Sequence, residues 1–290
     1  MFSAKTVSRT KSKSKSPIIQ AMEPDVINQA WRRIRKQHTP WSVTVSRDSL
    51  EQHLLTHVIT CREEVLCGKY KPQPMRQFPM EKPSGGTRIL SAQYLQDKLI
   101  QRALLIILEP CAEKIFHGDS YAYRPGRNVG MALARVRERV RIGQSWLVDA
   151  DIRSFFDSIP HKQLLTVLKS FVKDSKTMCL IEKWLAQGAH HSSLLRRRRG
   201  ISQGSILSPL FCNLYLNQFD NALASKNIPF VRFADDFLLF ANKHAKAEKA
   251  MNFAAVELEK LGLNLHPEKT RIVRSKPKIK FLGERLPKAT

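Results

Sequence analysis

The stretch FVRFADDFLLF, residues 230–240, sets two adjacent aspartates, Asp235 and Asp236, between two apolar runs. Each flank has the length of a strand. Two such runs joined at a two-residue tip, here Asp235–Asp236, read as a β-hairpin. Aspartate is at home in turns, because it tolerates left-handed backbone and hydrogen-bonds its own chain. A solvated turn, however, rarely carries Phe or Leu on both sides. These carboxylates stand where the core begins, and two unit charges about 4 Å apart repel by about 4 kcal/mol at an effective dielectric near 20. A hard cation offsets such repulsion. Magnesium fits, since it takes oxygen ligands and leaves positions for phosphate oxygens.

A third carboxylate is therefore worth seeking. SWLVDADIRSFF (145–156) reads as a buried strand ending in charge, and Asp149, Asp151 and Asp157 lie in or just after it. Asp149 and Asp151 share a face of a strand. Spacing leaves the choice among the three open. Any one of them, joined to the pair, makes a set able to hold two magnesium ions: one to activate a 3′-hydroxyl, the other to stabilise leaving pyrophosphate.

Charge points to a polyanionic partner. The 290 residues carry 49 Lys and Arg against 25 Asp and Glu, a formal net charge of +24. Nucleic acid is the usual counterpart of such an excess. With the carboxylates, this describes a polymerase or a nuclease. The five cysteines are scattered and form no CxxC, which argues against a disulfide framework or zinc ribbon and for a reducing, cytoplasmic setting. No apolar run approaches the roughly 20 residues of a membrane span. Basic residues and serines open the chain without the apolar segment of a signal peptide.

Along the chain, residues 1–16 read as a disordered basic tail, with the first folded residues expected after 23. A helical pattern runs from about Pro24 to Tyr70. FPMEKPSGGTRIL (78–90) has the form of two short strands about a Gly85–Gly86 turn, and 96–110 that of an apolar helix ending at Pro110. Helices are expected at 161–172, 177–188, 209–224 and 245–261, the third capped by Ser208 with Pro209 as its first residue. No internal repeat is visible. Strands and helices mix without βα alternation, so the expected class is α+β with an antiparallel sheet.

These segments resemble bacterial reverse transcriptases of the group II intron type, in the subgroup that includes intron-like and CRISPR-associated enzymes. FADD is similar to their YADD motif, DADIRSFFDSIPH (149–161) to their DIKGFFDNIDH-like block, and GISQGSILSPLFCNLYLNQFD (200–220) to their TPQGGxxSPLLANxYLxxLD block. EKPSGGTRIL (81–90), DSYAYRPGRN (119–128), LGLNLHPEKT (261–270) and FLG (281–283) follow in family order, so the likeness covers about residues 27–284. It implies a right-hand polymerase with a fingers region over 24–145, a palm over 146–284 and a short tail at 285–290.

The resemblance also implies roles. Asp151, Asp235 and Asp236 match the catalytic, metal-binding aspartates, with Ile152 beside them at the metal and the nucleotide. Phe156 matches the bulky residue that favours dNTPs over rNTPs. Lys82, Arg88, Gln203 and Lys269 match further contacts to the incoming nucleotide. Gly204, the RPGR arginines Arg124 and Arg127, and the run Arg196, Arg197, Arg198 and Arg199 match positions beside the nucleic acid. The implied cofactor is a pair of magnesium ions, or manganese in their place. The implied partners are an RNA template, a DNA or RNA primer, and a protein supplying a thumb or integrase function.

Departures accompany the likeness. PWSVTVS (40–46) replaces a PGVDG-like signature, Pro160 stands where an acid is usual, and the chain stops seven residues after FLG, where the family continues into a helical thumb. Two rival readings follow: an RNA-binding protein without activity, and a polymerase in a defence or retroelement system that acts only with a partner.

Overall fold

The computed structural model describes residues 15–81, 87–187, 190–191 and 198–288. It opens with α1 (Pro17–Ala21), α2 (Pro24–Ile34), α3 (Arg47–Gln52) and α4 (Leu54–Leu66). A hairpin follows, β1 (Arg76–Glu81) with β2 (Thr87–Ala92), then α5 (Leu95–Glu113), α6 (Val129–Arg141) and β3 (Trp146–Asp151). Next come α7 (Phe155–Ser158), α8 (His161–Phe171), α9 (Ser175–Gln187) and the two-residue strands β4 (His190–His191) and β5 (Arg198–Arg199). The chain continues through α10 (Ser208–Ser225), β6 (Phe230–Phe233), β7 (Asp236–Ala241), α11 (His244–Lys260), β8 (Arg271–Arg274), β9 (Lys280–Phe281) and β10 (Glu284–Arg285). The class is α+β, as expected.

The central sheet is antiparallel, in the order β6-β7-β3-β8. Its register sorts the side chains by face, because directly paired residues in an antiparallel ladder share one. Val148, Ala150, Phe237 and Leu239 enter the main core, which also holds buried residues of α8, α10 and α11. Leu147, Leu238 and Phe240 turn to the other face, with Val231 of β6, and bury against the Ala132, Leu133 and Val136 side of α6. That second face also carries Asp149, Asp151 and Asp236. It is thus apolar at one end and acidic at the other.

Several boundaries differ from the expectations. The segment drawn as tail up to residue 23 includes α1, whose Ile18 and Ala21 are buried in the main core with Met22. Ser16 also donates to Asp174 at 2.7 Å. Residues 24–70 break at 35–46, where Trp41 is buried and ties back to Val45. Helix α5 passes Pro110 to Glu113; Pro110 costs one backbone bond in the last turns, while Leu108 and Ala112 bury around it. Ser208 is the first helical residue, not the cap, and its hydroxyl donates to Ser202 O at 2.8 Å. The hairpin turn is Ala234–Asp235, one residue earlier than expected: Asp236 already pairs with Phe233, and Ala234 takes the left-handed turn at φ 59°. The drawn tail at 285–290 begins inside β10, and Leu286 is 2% exposed in the second core.

Candidate active site

Asp151 closes β3 and Asp236 opens β7, directly opposite one another. Like charges in that position destabilise a sheet. Asp235, in the adjoining turn, faces a cleft of about 1460 Å³. The group is short of positive charge. Loss of hydration, then the charges of Asp151 and Asp235, push the Asp236 carboxyl up to about 6. Burial, and then Asp151, raise that of Asp235. One cation has come to the group: Lys269 Nζ lies 2.6 Å from Asp151 Oδ2, and this bond raises the lysine's own pKa. Asp149, two residues back, is bound by Arg271 through Nε at 3.0 Å and Nη2 at 2.8 Å, while its burial raises its carboxyl pKa.

The cleft gathers seven of the expected residues, while Asp236 stands next to them at the head of β7, outside its lining. Asp151, Ile152 and Asp235 form its floor, and Phe156, Gln203, Gly204 and Lys269 line it. Ile152 bridges Leu265, but the bridging bonds run from His266 N to Asp151 O and from Arg153 N to Asn264 O. In an antiparallel bridge of this kind, the amide and carbonyl of Ile152 itself point away from Leu265. Phe156 packs edge-on to Phe155, and its carbonyl accepts from Ile201 N at 2.7 Å. Gln203 O accepts from Ser91 N at 3.3 Å, which docks the β1–β2 hairpin on this loop. Gly204 explains the closeness: a Cβ there would stand 2.1 Å from Ser91 O, at φ 126°. Arg88 pairs with Met80 in the hairpin.

Other expected residues are not at the cleft. Arg124 has a side chain that is 3% exposed, with every nitrogen engaged, by Glu113 and by the carbonyls of His117 and Ser120. It braces the loop and cannot grip a phosphate without abandoning those partners. Arg127 donates to Gly118 O and lies over the Tyr121 ring, away from the cleft wall. Arg198 and Arg199 form β5, with Arg199 also bridging Pro160. Lys82, Arg196 and Arg197 lie outside the described residues.

Sequence reasoning missed four contributors. Arg232, inside FVRFADD itself, is fully buried, and its guanidinium holds Asp220 through two bonds of 2.7 and 2.6 Å. It also reaches Asn213, Ser120 and the Ala234 carbonyl, so it fixes the turn from behind. Phe78 and Met80 stand in the cleft on the hairpin side and are about half exposed; their two-residue spacing in β1 was the available signal. Arg102 of α5 also lines the cleft, with a buried Nε that has no acceptor among the described residues.

The residues suit a hard divalent cation by donor type, since the three aspartates offer only oxygen and the carboxyls of Asp235 and Asp236 are raised, first by burial and then by the neighbouring acids. Among the described residues, no three such side chains converge on one point as the chain stands. Nor is any helix among them long and apolar enough to cross a membrane.

Comparison with known proteins bears on the family. Residues 80–286 match the family described as reverse transcriptase (RNA-dependent DNA polymerase). The chain is 30% identical to protein YkfC of Escherichia coli K12, over 86% of this chain and 76% of that one. It is 36% identical to the group II intron-encoded protein LtrA of Lactococcus lactis, over 57% of this chain and 28% of that one. Among solved structures, a chain of the partial Cas6-RT-Cas1–Cas2 complex matches with a TM-score of 0.50 and 26% identity, covering 85% of this chain and 43% of that one. Candida albicans telomerase shares the fold at a TM-score of 0.57 and 13% identity, covering 87% of this chain and 51% of that one. The chain therefore spans three quarters of YkfC but about a quarter of LtrA. With the match to residues 80–286 and the YkfC likeness together, the chain belongs to the reverse transcriptase family.

Proposed function

We propose that this chain copies RNA into DNA, adding dNTPs to a primer 3′-hydroxyl. The supporting observation is the facing of Asp151 and Asp236 across β3 and β7, with Asp235 in the adjoining turn, at a cleft lined by Phe156, Gln203 and Lys269. The primer O3′ attacks the dNTP α-phosphorus in line; the new P–O bond forms as the bond to pyrophosphate breaks, and the hydroxyl proton passes to solvent water. Asp151, Asp235, Asp236 and the Ile152 carbonyl would hold magnesium or manganese, which ease loss of that proton and neutralise charge on the leaving pyrophosphate.

The protein's remaining contribution is position and charge. Lys269 offers a cation beside Asp151 for the phosphates. Phe156, anchored by Phe155 and by the Ile201 bond, crowds the ribose 2′ position. Arg102 lines the same cleft and offers its positive charge to template phosphates. In solution, Asp151→Asn, Asp235→Asn and Asp236→Asn should each cut primer extension on poly(rA)/oligo(dT) by at least about a thousandfold, with RNA affinity nearly unchanged because binding rests on Lys and Arg. Near-parental extension by Asp151→Asn would sink the assignment.

A second reading, synthesis only with a protein partner, is favoured by the likeness to the reverse transcriptase chain of a Cas6-RT-Cas1–Cas2 complex. Extension that appears only when a partner is added would select it.

A further inference from the structure

The segment that carries Lys269 is tied down on both sides of Asp151. On its near side, His266 N bonds Asp151 O at 2.8 Å and Asn264 O accepts from Arg153 N at 2.9 Å. The chain then arches, with Lys269 N and Thr270 N both bonding His266 O, at 3.3 and 3.0 Å. On its far side β8 begins at Arg271, directly opposite Asp149. Strand β8 is the outer strand of the sheet, and among the described strands it pairs with β3 alone. The Asp149–Arg271 rung is the last one before the arch, and the only charged pair in its register, the others being Leu147 with Val273, Val148 with Ile272 and Trp146 with Arg274. Asp149 and Asp151 are two apart on β3, as Lys269 and Arg271 are two apart on the opposing segment. Two acid–base rungs therefore lie in succession, Asp149–Arg271 and Asp151–Lys269.

We propose that Asp149 and Arg271 are positioning residues, which set the height of the arch so that Lys269 reaches Asp151 and the nucleotide phosphates. This rests on the nucleotide role given to Lys269 above. Asp149 on this view is not a third or fourth metal ligand: Arg271 occupies one of its oxygens with two bonds. Neither residue touches the reacting atoms. Arg271 is 56% exposed, so the pair adds little to global stability. Its worth lies in where it stands.

That separation makes the proposal testable on the full chain. Asp149→Asn and Arg271→Gln should leave the melting temperature within about 3 °C of the parent. Amide hydrogen exchange at 266–270 should quicken at least about fivefold, since the arch loses one anchor. Single-nucleotide insertion should show the KM for dNTP raised about tenfold and kcat changed less than about threefold, the mark of lost ground-state positioning. The exchanged pair, Asp149→Arg with Arg271→Asp, should recover both readouts in large part. Unchanged exchange at 266–270 in Asp149→Asn would overturn the proposal. If instead exchange quickens while Lys269→Ala leaves the KM for dNTP unmoved, the pin stands and the nucleotide role of Lys269 fails.

Discussion

Replacing Arg232 with leucine should expose how much the aspartate turn owes to what lies behind it. Arg232 and Asp220 are both 0% exposed at their side chains, and Asp220 receives two of the guanidinium's bonds. The substitution leaves the Asp220 carboxylate without its countercharge in a closed interior. Removing one partner of a buried pair costs about 3–5 kcal/mol, more than the pair itself is worth. The Ala234 carbonyl, held by Arg232 at 3.0 Å, loses that donor too, at a further cost of about 1–3 kcal/mol. At about 2–4 °C per kcal/mol for a chain of this size class, melting should fall by roughly 8–32 °C. Differential scanning calorimetry reads it. Pairing Arg232→Leu with Asp220→Leu should restore more than half of the loss, because no buried charge then remains. The same double variant should still synthesise DNA poorly, since the turn bearing Asp235 stays unbraced. A single variant that melts within about 2 °C of the parent would refute the reasoning, because Asp220 would then have found water or another cation.

Three further outcomes are expected. Gly204→Ala places a methyl against Ser91 O in a backbone region L residues avoid, so stability should fall by about 1–3 kcal/mol in urea unfolding, and the KM for dNTP should rise. Phe156→Ala opens space beside the ribose; discrimination against rNTPs, measured as the ratio of kcat/KM values, should drop by at least about tenfold, and an unchanged ratio refutes the gate. His161, buried with Nε2 2.7 Å from Gly200 O, has its pKa lowered, chiefly by burial. The unfolded chain takes up a proton near pH 6.5 that the folded one refuses. The stability His161 contributes is therefore present above about pH 6.5 and declines below it, by at most about 1.4 kcal/mol per pH unit. His161→Gln should flatten that part of the profile in urea melts between pH 8 and pH 5.

The hairpin at 230–240 was legible because its two periods are local: apolar flanks on either side of an acidic pair need no knowledge of the rest of the chain. Which acid joined the pair was not legible from spacing and came only with the family resemblance, since the β3–β7 register that sets Asp151 opposite Asp236 depends on pairing across 84 intervening positions of the chain. Arg232 escaped for a related reason. A charge between Val231 and Phe233 reads as a solvent-facing strand position, and only Asp220, brought in by α10, makes its burial tolerable. Arg124 misled in the opposite direction: the two arginines of RPGR look equivalent in sequence, yet Glu113 on α5 claims one of them. Helix α1 was hidden by its five-residue length and its basic neighbours, and its place in the core is set by contacts with α5.

The bare backbone at Gly204 also has a mechanical meaning. With Gln203 O bonded to Ser91 N and no side chain between the two strands of chain, the β1–β2 hairpin and the loop before α10 are coupled with almost no play. A template or nucleotide that presses on Phe78 or Met80 pushes against the same lever that carries Gln203. Tilting the hairpin by even an ångström has to be absorbed at residues 202–205, so the two walls of the cleft can respond to a correctly shaped base pair as one part.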